Sequence, residues 1–156
     1  MTSATLARGP PTGDTGPMDL DRARDFVRSH HRAVLATRRG TGIQPGIQQS
    51  PVLVGVDDEG RFTVSSRETA YKTRRLREDP WAQLCVLPDS FFGDWVYVEG
   101  EAEVVSLPEA MEPLVEYYRG ISGEADDWDE YRAGMERERR VILRVTARRA
   151  GPDRQG

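Results

Sequence analysis

The chain has 156 residues, 37% hydrophobic and 31% charged, with a net charge of −4 at pH 7. That length supports one ordinary domain, and the acidic balance argues against a dedicated nucleic-acid binder, which carries a broad basic excess. The single cysteine, Cys85, cannot form an intramolecular disulfide. There is no zinc-ligand spacing, no membrane-length apolar run and no signal-peptide core, so the cytoplasm is the expected compartment.

Residues 1–17 are rich in Thr, Gly, Pro, Ala and Ser and read as a disordered leader. Residues 18–150 form the expected domain, and residues 151–156 read as a flexible tail. A first helix is predicted from Asp19, with Leu20, Ala23 and Val27 at helical spacing and Phe26 beside them. Strand patterns follow. Ala33 to Thr37 runs into the turn signal Arg39-Gly40-Thr41-Gly42. Ile43 to Val56 is interrupted by Pro45 and Pro51, and Val52 to Val56 is its clearest strand. Asp57-Asp58-Glu59-Gly60 is a hairpin turn leading into Arg61 to Ser65. Thr69 to Asp79 is helical, and Ala82 to Leu87 is a strand. In Trp95 to Val105, Val96, Val98, Ala102 and Val104 share a face. Ser106-Leu107-Pro108-Glu109 matches a capping box ahead of an apolar stripe at Met111, Leu114, Val115 and Tyr118. A short helix around Asp129 to Met135 precedes a last strand, Val141 to Thr146. About six strands joined mostly by hairpins predict a mainly β chain: an antiparallel barrel with peripheral helices. No dinucleotide-binding glycine motif is present.

The chemistry concentrates in Ser65 to Arg77. Two hydroxyl residues, Ser65 and Ser66, end a strand. A helix then begins, carrying Lys72, Arg74, Arg75 and Arg77 within six residues, with Arg67 just before it and Thr73 inside the run. Helix starts offer free N–H groups to anions, and clustered cations bind phosphate or carboxylate. The same run also fits a solvated helix face. Gln48-Gln49-Ser50 offers amide groups able to bond the edge of a heterocycle, or is simply an exposed edge strand. Trp95 and Tyr97 can stack on a planar ring or pack a core or dimer contact, and Trp128 and Tyr131 pose the same choice. His30 and His31 have no evident partner and read as structural, as does Cys85 within its strand. No nucleophile elbow is visible, so any redox chemistry belongs to a cofactor.

Taken together, the segments resemble the pyridoxamine 5′-phosphate oxidase-like family, and within it the F420-dependent oxidoreductase branch. The matching pieces are Ala33 to Thr37, Gln48-x-Ser50-Pro51-Val52, and Lys72-Thr73-Arg74-x-Leu76-Arg77-x-Asp79-Pro80. They continue with Val98-Glu99-Gly100-x-Ala102, Tyr117-Tyr118-Arg119-x-Ile121-x-Gly123-Glu124, Asp127 to Arg132 and Glu138 to Val141. The resemblance spans about Leu20 to Pro152. It implies an FMN-binding-like split β-barrel working as a homodimer, with two cofactor sites at the subunit interface. Ser65, Ser66 and Lys72 would hold the cofactor phosphate. Arg67, Thr73 and Arg75 belong to the same cofactor-binding segment. Gln48 and Ser50 would face the ring or its side chain. Trp95, from the same or the partner subunit, would wall the pocket, and the segment around Trp128, Tyr131 and Arg132 would close it. The implied activity is hydride transfer between reduced coenzyme F420 and a small organic substrate. The alternatives are an FMN-dependent oxidase or reductase of the same fold, or a non-catalytic F420 carrier. Neither nucleic acid nor membrane is an expected partner.

Overall fold

The computed structural model describes residues 19–40 and 45–152. The expected leader therefore lies outside the described residues, as does the tail beyond Pro152. The first helix, α1 (Leu20–Ser29), starts where the sequence predicts. Asp19 caps it by accepting a hydrogen bond from the Asp21 N–H at 3.1 Å, and Ala23 and Val27 are buried. Strands β1 (Arg32–Arg39), β2 (Gly46–Leu53), β3 (Gly55–Val56) and β4 (Phe62–Arg67) follow. Helix α2 (Tyr71–Glu78) leads to β5 (Trp81–Leu87) and β6 (Val96–Val105). Helices α3 (Met111–Ser122) and α4 (Trp128–Arg137) precede β7 (Arg140–Gly151).

The strands form one antiparallel sheet in the order β2-β1-β5-β6-β7-β4-β3. Its two edge strands, β2 and β3, are consecutive in the chain, with only Val54 between them. One residue cannot bridge a flat seven-stranded sheet, because strands lie about 4.8 Å apart. The sheet must therefore curl until its edges meet, and Val54 is the seam. Its N–H donates to the His31 carbonyl at 2.8 Å, and its own carbonyl lies 2.9 Å from His31 Nδ1. The strand expected over Val52 to Val56 is thus two strands belonging to opposite edges, which raises the count from about six to seven. Pro51 is tolerated because β2 pairs on one side only.

The inner face of the curled sheet is apolar. Leu35, Phe62, Val64, Leu84, Val86, Val98, Leu143 and Val145 form the barrel core with Ala23 and Val27 of α1 and Leu76 of α2. Helix α1 precedes β1 at one end of the barrel, and α2 follows β4 at the other. On the outer face of β4 and β7, Ile142 packs beneath Ala110 and Leu114, with Tyr117 and Met135 beside them.

Two sequence expectations need correction. The expected capping box does not cap α3. The helix starts at Met111, and Ala110 makes no side-chain cap. The Ser106 hydroxyl donates instead to Glu68 and accepts from Arg77 at 2.9 Å, so a tertiary partner outcompetes the local one. The last strand runs through Gly151 rather than ending at Thr146, because β6 offers it a partner as far as Tyr97.

Candidate functional site

β4 carries the first part of the site. Alternation along the strand sends Ser65 and Ser66 to opposite faces. Ser66, only 2% exposed, faces the core, and its hydroxyl lies 2.8 Å from Thr73 Oγ1, which donates to the Arg67 carbonyl at 2.7 Å. These two hydroxyls fasten the start of α2 to the end of β4. Ser65 shares the other face with Arg67. The strand register sets Arg67 directly opposite Arg140, the first residue of β7. Like charges in opposed positions repel, and Glu138 offsets this by pairing with both, at 3.5 Å from Arg67 and 2.7 Å from Arg140.

Lys72 completes the group. It is half-buried on the first turn of α2 and makes no ion pair among the described residues. Burial pushes its ammonium below the ordinary lysine value, and the neighbouring Arg140 and Arg67 push it further in the same direction. Of the 22 basic residues in the sequence, only Lys72 is lysine. Arginine stays charged throughout, whereas a lysine can lose its proton. Arg74, exposed two positions further on, likewise makes no ion pair among the described residues. The other cations of the run are engaged. Arg75 bonds Glu78 at 2.5 Å and the Arg38 carbonyl at 3.1 Å, folding toward β1, and Arg77 pairs with Glu68 at 2.7 Å.

Gln48 and Ser50 lie half-buried on the core-facing side of β2, in register with Thr37 and Leu35. Thr37 is 1% exposed, and its hydroxyl has no hydrogen-bond partner. A buried unpaired hydroxyl carries a cost, and beside Gln48 it leaves polar capacity at the α2 end of the barrel. Trp95 is elsewhere. It precedes β6 at the end where Val96 pairs with Val86, whereas Trp81, at the α2 end of β5, pairs with Glu101. Six residues of strand separate those ends, about 20 Å. Trp95 stands 39% exposed, with its ring centroid 6.3 Å from that of Tyr97.

Tyr117 and Tyr131 border the Arg140 side. Burial raises both phenols, Tyr131 to about 12, and both donate to backbone carbonyls at 2.9 Å, of Leu53 and Leu114 respectively. Tyr131 also packs with Tyr118 and Trp128 in a cluster that joins α3 to α4. Arg132 pairs with Glu112. His30 and His31 each place Nδ1 against a backbone carbonyl, and burial raises the Cys85 thiol. None of these supplies an activated nucleophile.

The structure thus groups Ser65, Arg67 and Lys72 with Arg140. It puts Gln48 and Ser50 on the inner face of β2, uses Ser66 and Thr73 as internal fasteners, turns Arg75 toward β1 and leaves Trp95 at the far end. Arg140 is the member that sequence reasoning missed. It lies 68 residues after Lys72, and the β4–β7 register brings it opposite Arg67 and so beside Lys72.

A curled antiparallel sheet whose edges meet at Val54, with a cation cluster where β4 meets α2, defines a split β-barrel. The family model for pyridoxamine 5′-phosphate oxidase matches residues 20–151. The chain belongs to that family. Among solved structures, it is similar to a conserved hypothetical protein from Mycobacterium tuberculosis, with 27% identity over 85% of this chain and 82% of that one, at a TM-score of 0.66. An F420 reductase aligns with 18% identity over 82% of this chain and 94% of its own, at a TM-score of 0.62. A heme binding protein from Mycobacterium smegmatis aligns with 19% identity over 86% of this chain and 53% of its own, also at 0.62. No helix among the described residues is long and apolar enough to cross a membrane.

Proposed function

We propose that this protein is an F420-dependent oxidoreductase, working as a cytoplasmic homodimer on a small organic substrate. The observation that carries the reading is Lys72, half-buried beside Arg67 and Arg140 with no carboxylate of its own among the described residues. A cation held this way is stabilised when an anion arrives. Arg67 and Arg140 beside it add more positive charge than one terminal phosphate requires, which suits a phosphodiester followed by an acidic tail. Lys72, Arg67 and Ser65 would hold the phosphodiester, and Gln48, with the spare hydroxyl of Thr37 behind it, would meet the polar edge of the ring. The bound deazaflavin would supply hydride chemistry at C5 of its ring. The chain's part is to bind, to orient and to exclude water.

The homodimer follows from the same reading. Trp95 cannot wall a pocket about 20 Å away along its own sheet, whereas a two-fold partner can present its Trp95 there. Ile47, Leu53, Phe91 and Phe92 are exposed apolar side chains available to such a contact.

One observation favours FMN as a second reading. Arg75 and Arg77 are engaged by Glu78 and Glu68, which trims the surplus charge toward what a single phosphate needs. Parallel fluorescence titrations with F420 and FMN at fixed salt separate the two. Micromolar or tighter F420 binding with weak FMN binding is expected. The reverse preference transfers the protein to FMN, and no binding of either removes the oxidoreductase reading.

A further inference from the structure

We propose that Lys72 is a site of covalent acylation by acyl phosphates, a modification that switches off the anion site. The geometry supplies both things such a reaction needs in one place. The first is an anion anchor. Arg67 and Arg140 stand opposite each other across β4 and β7 and share the single carboxylate of Glu138, so a net positive locus remains for a phosphoryl group. The second is a nucleophile. Lys72 is half-buried beside those arginines, and among the described residues no carboxylate holds its charge. An amine in such surroundings sheds its proton more readily than a solvated lysine, and the lowered titration of Lys72 agrees. No other side chain in the chain offers an amine, so the reaction has one side-chain target.

The chemistry balances without a redox partner. The phosphoryl group of the acyl phosphate pairs with Arg67 and Arg140. The free electron pair on Lys72 Nζ attacks the carbonyl carbon. The bond from that carbon to the phosphoryl oxygen breaks, its electrons leave with inorganic phosphate, and the Nζ proton passes to water. The product is a neutral amide. It removes the charge and most of the hydrogen-bond donors that the site would turn toward an anionic cofactor. This regulatory consequence rests on the cofactor reading above, whereas the acylation itself does not.

The test incubates the full-length protein with acetyl phosphate and follows acetylation by mass spectrometry with peptide mapping. Nα-acetyl-lysine amide is the solvated reference amine. Lys72 is expected to react measurably faster than the reference at the same pH, because its surroundings leave more of it as the free amine and the arginines hold the donor beside it. Inorganic phosphate is expected to slow the reaction with acetyl phosphate, and not the reaction with acetic anhydride, a donor with no phosphoryl group to anchor. Labelling no faster than the reference, or failure of phosphate to compete, overturns the proposal. F420 and FMN are then added as protectants. Fast, phosphate-sensitive acetylation that neither cofactor blocks sustains the acylation site and removes the cofactor reading. Cofactor binding to a protein whose Lys72 does not acylate does the reverse.

Discussion

Lys72 is the residue on which the electrostatics of the candidate site turn. Its neighbours disfavour its charge, so an arriving phosphate relieves a penalty that the empty site carries. Lys72→Ala is expected to weaken cofactor binding by about 1.5–3 kcal/mol, the range of a charge-assisted hydrogen bond. The melting temperature should not fall, because Lys72 fastens no other element and its charge is disfavoured in the fold. Titration beside a melting curve checks both. The pH dependence has a definite sign. Lys72 releases its proton in the folded protein at a pH where an unfolded lysine still holds one, so across that window stability rises with pH. Binding behaves oppositely, because the anion needs the ammonium. Affinity is expected to fall as pH rises through the lowered Lys72 value, beginning on the acid side of the ordinary 10.5. Repeating the titration from neutral to alkaline pH shows whether the decline starts early.

At the scale of elements, α2 is held by two ion pairs. Asp79 takes Arg38 of β1 at 2.9 Å, and Glu68 takes Arg77 at 2.7 Å with the Ser106 hydroxyl alongside. Hydrogen bonds from Arg77 and Ser106 hold the Glu68 carboxyl below the usual range, and the Arg38 guanidinium does the same for Asp79. A carboxylate lowered by folding contributes stability that is complete above its unfolded value and is lost as pH falls through its folded one. Glu68→Gln should therefore destabilise the protein at neutral pH and flatten the loss of melting temperature as pH falls below the ordinary 4.5. β6 and β7 are joined differently. Their register shifts between Glu99 and Gly100, and a Cβ at Gly100 would lie 2.0 Å from the Thr146 carbonyl oxygen. Backbone cannot step aside, so Gly100→Ala should cost about 3 kcal/mol or more, read by denaturant unfolding.

These elements also show how far the sequence could be read. Alternation placed most strands because each buries one face, and the spacing of Leu20, Ala23 and Val27 placed α1. The seam at Val54 was hidden because Val52 to Val56 is apolar throughout, and its break is made by His31, 23 residues away. The start of α3 was misread because Ser106 has a better partner in Glu68, 38 residues earlier. Within the site, Lys72 and Arg67 were legible as a local charge run. Arg140 was not, since strand pairing alone brings it there. Ser66 and Thr73, expected at the cofactor, bond each other instead, a tertiary contact that no local pattern shows.

At the scale of the whole molecule, the outer face of the sheet connects the end that carries Trp95 to the end that carries Lys72. From Trp95 it passes to Tyr97, whose hydroxyl accepts from Arg149 at 3.0 Å. Arg149 and Trp81 then share Glu99, at 3.2 and 2.7 Å, and Arg38 lies 5.2 Å above the Trp81 ring beside α2. Such a ladder keeps Trp95 and Lys72 at a fixed separation within one chain, so their meeting requires two chains. In a two-fold dimer each site would take Lys72 from one subunit and Trp95 from the other. That arrangement makes a prediction no single-chain site can mimic. Lys72→Ala and Trp95→Ala homodimers should both bind cofactor weakly. A mixed dimer of the two variants contains one site carrying both changes and one carrying neither. Titration of the purified mixed dimer should recover native affinity at half the native stoichiometry. If Lys72 and Trp95 instead served the same site from one chain, every site in the mixture would carry one change and no native-affinity fraction would appear. Sedimentation of the unmodified protein should in parallel give twice the chain mass of 17.5 kDa. A monomer there would dissolve the shared site together with the role assigned to Trp95.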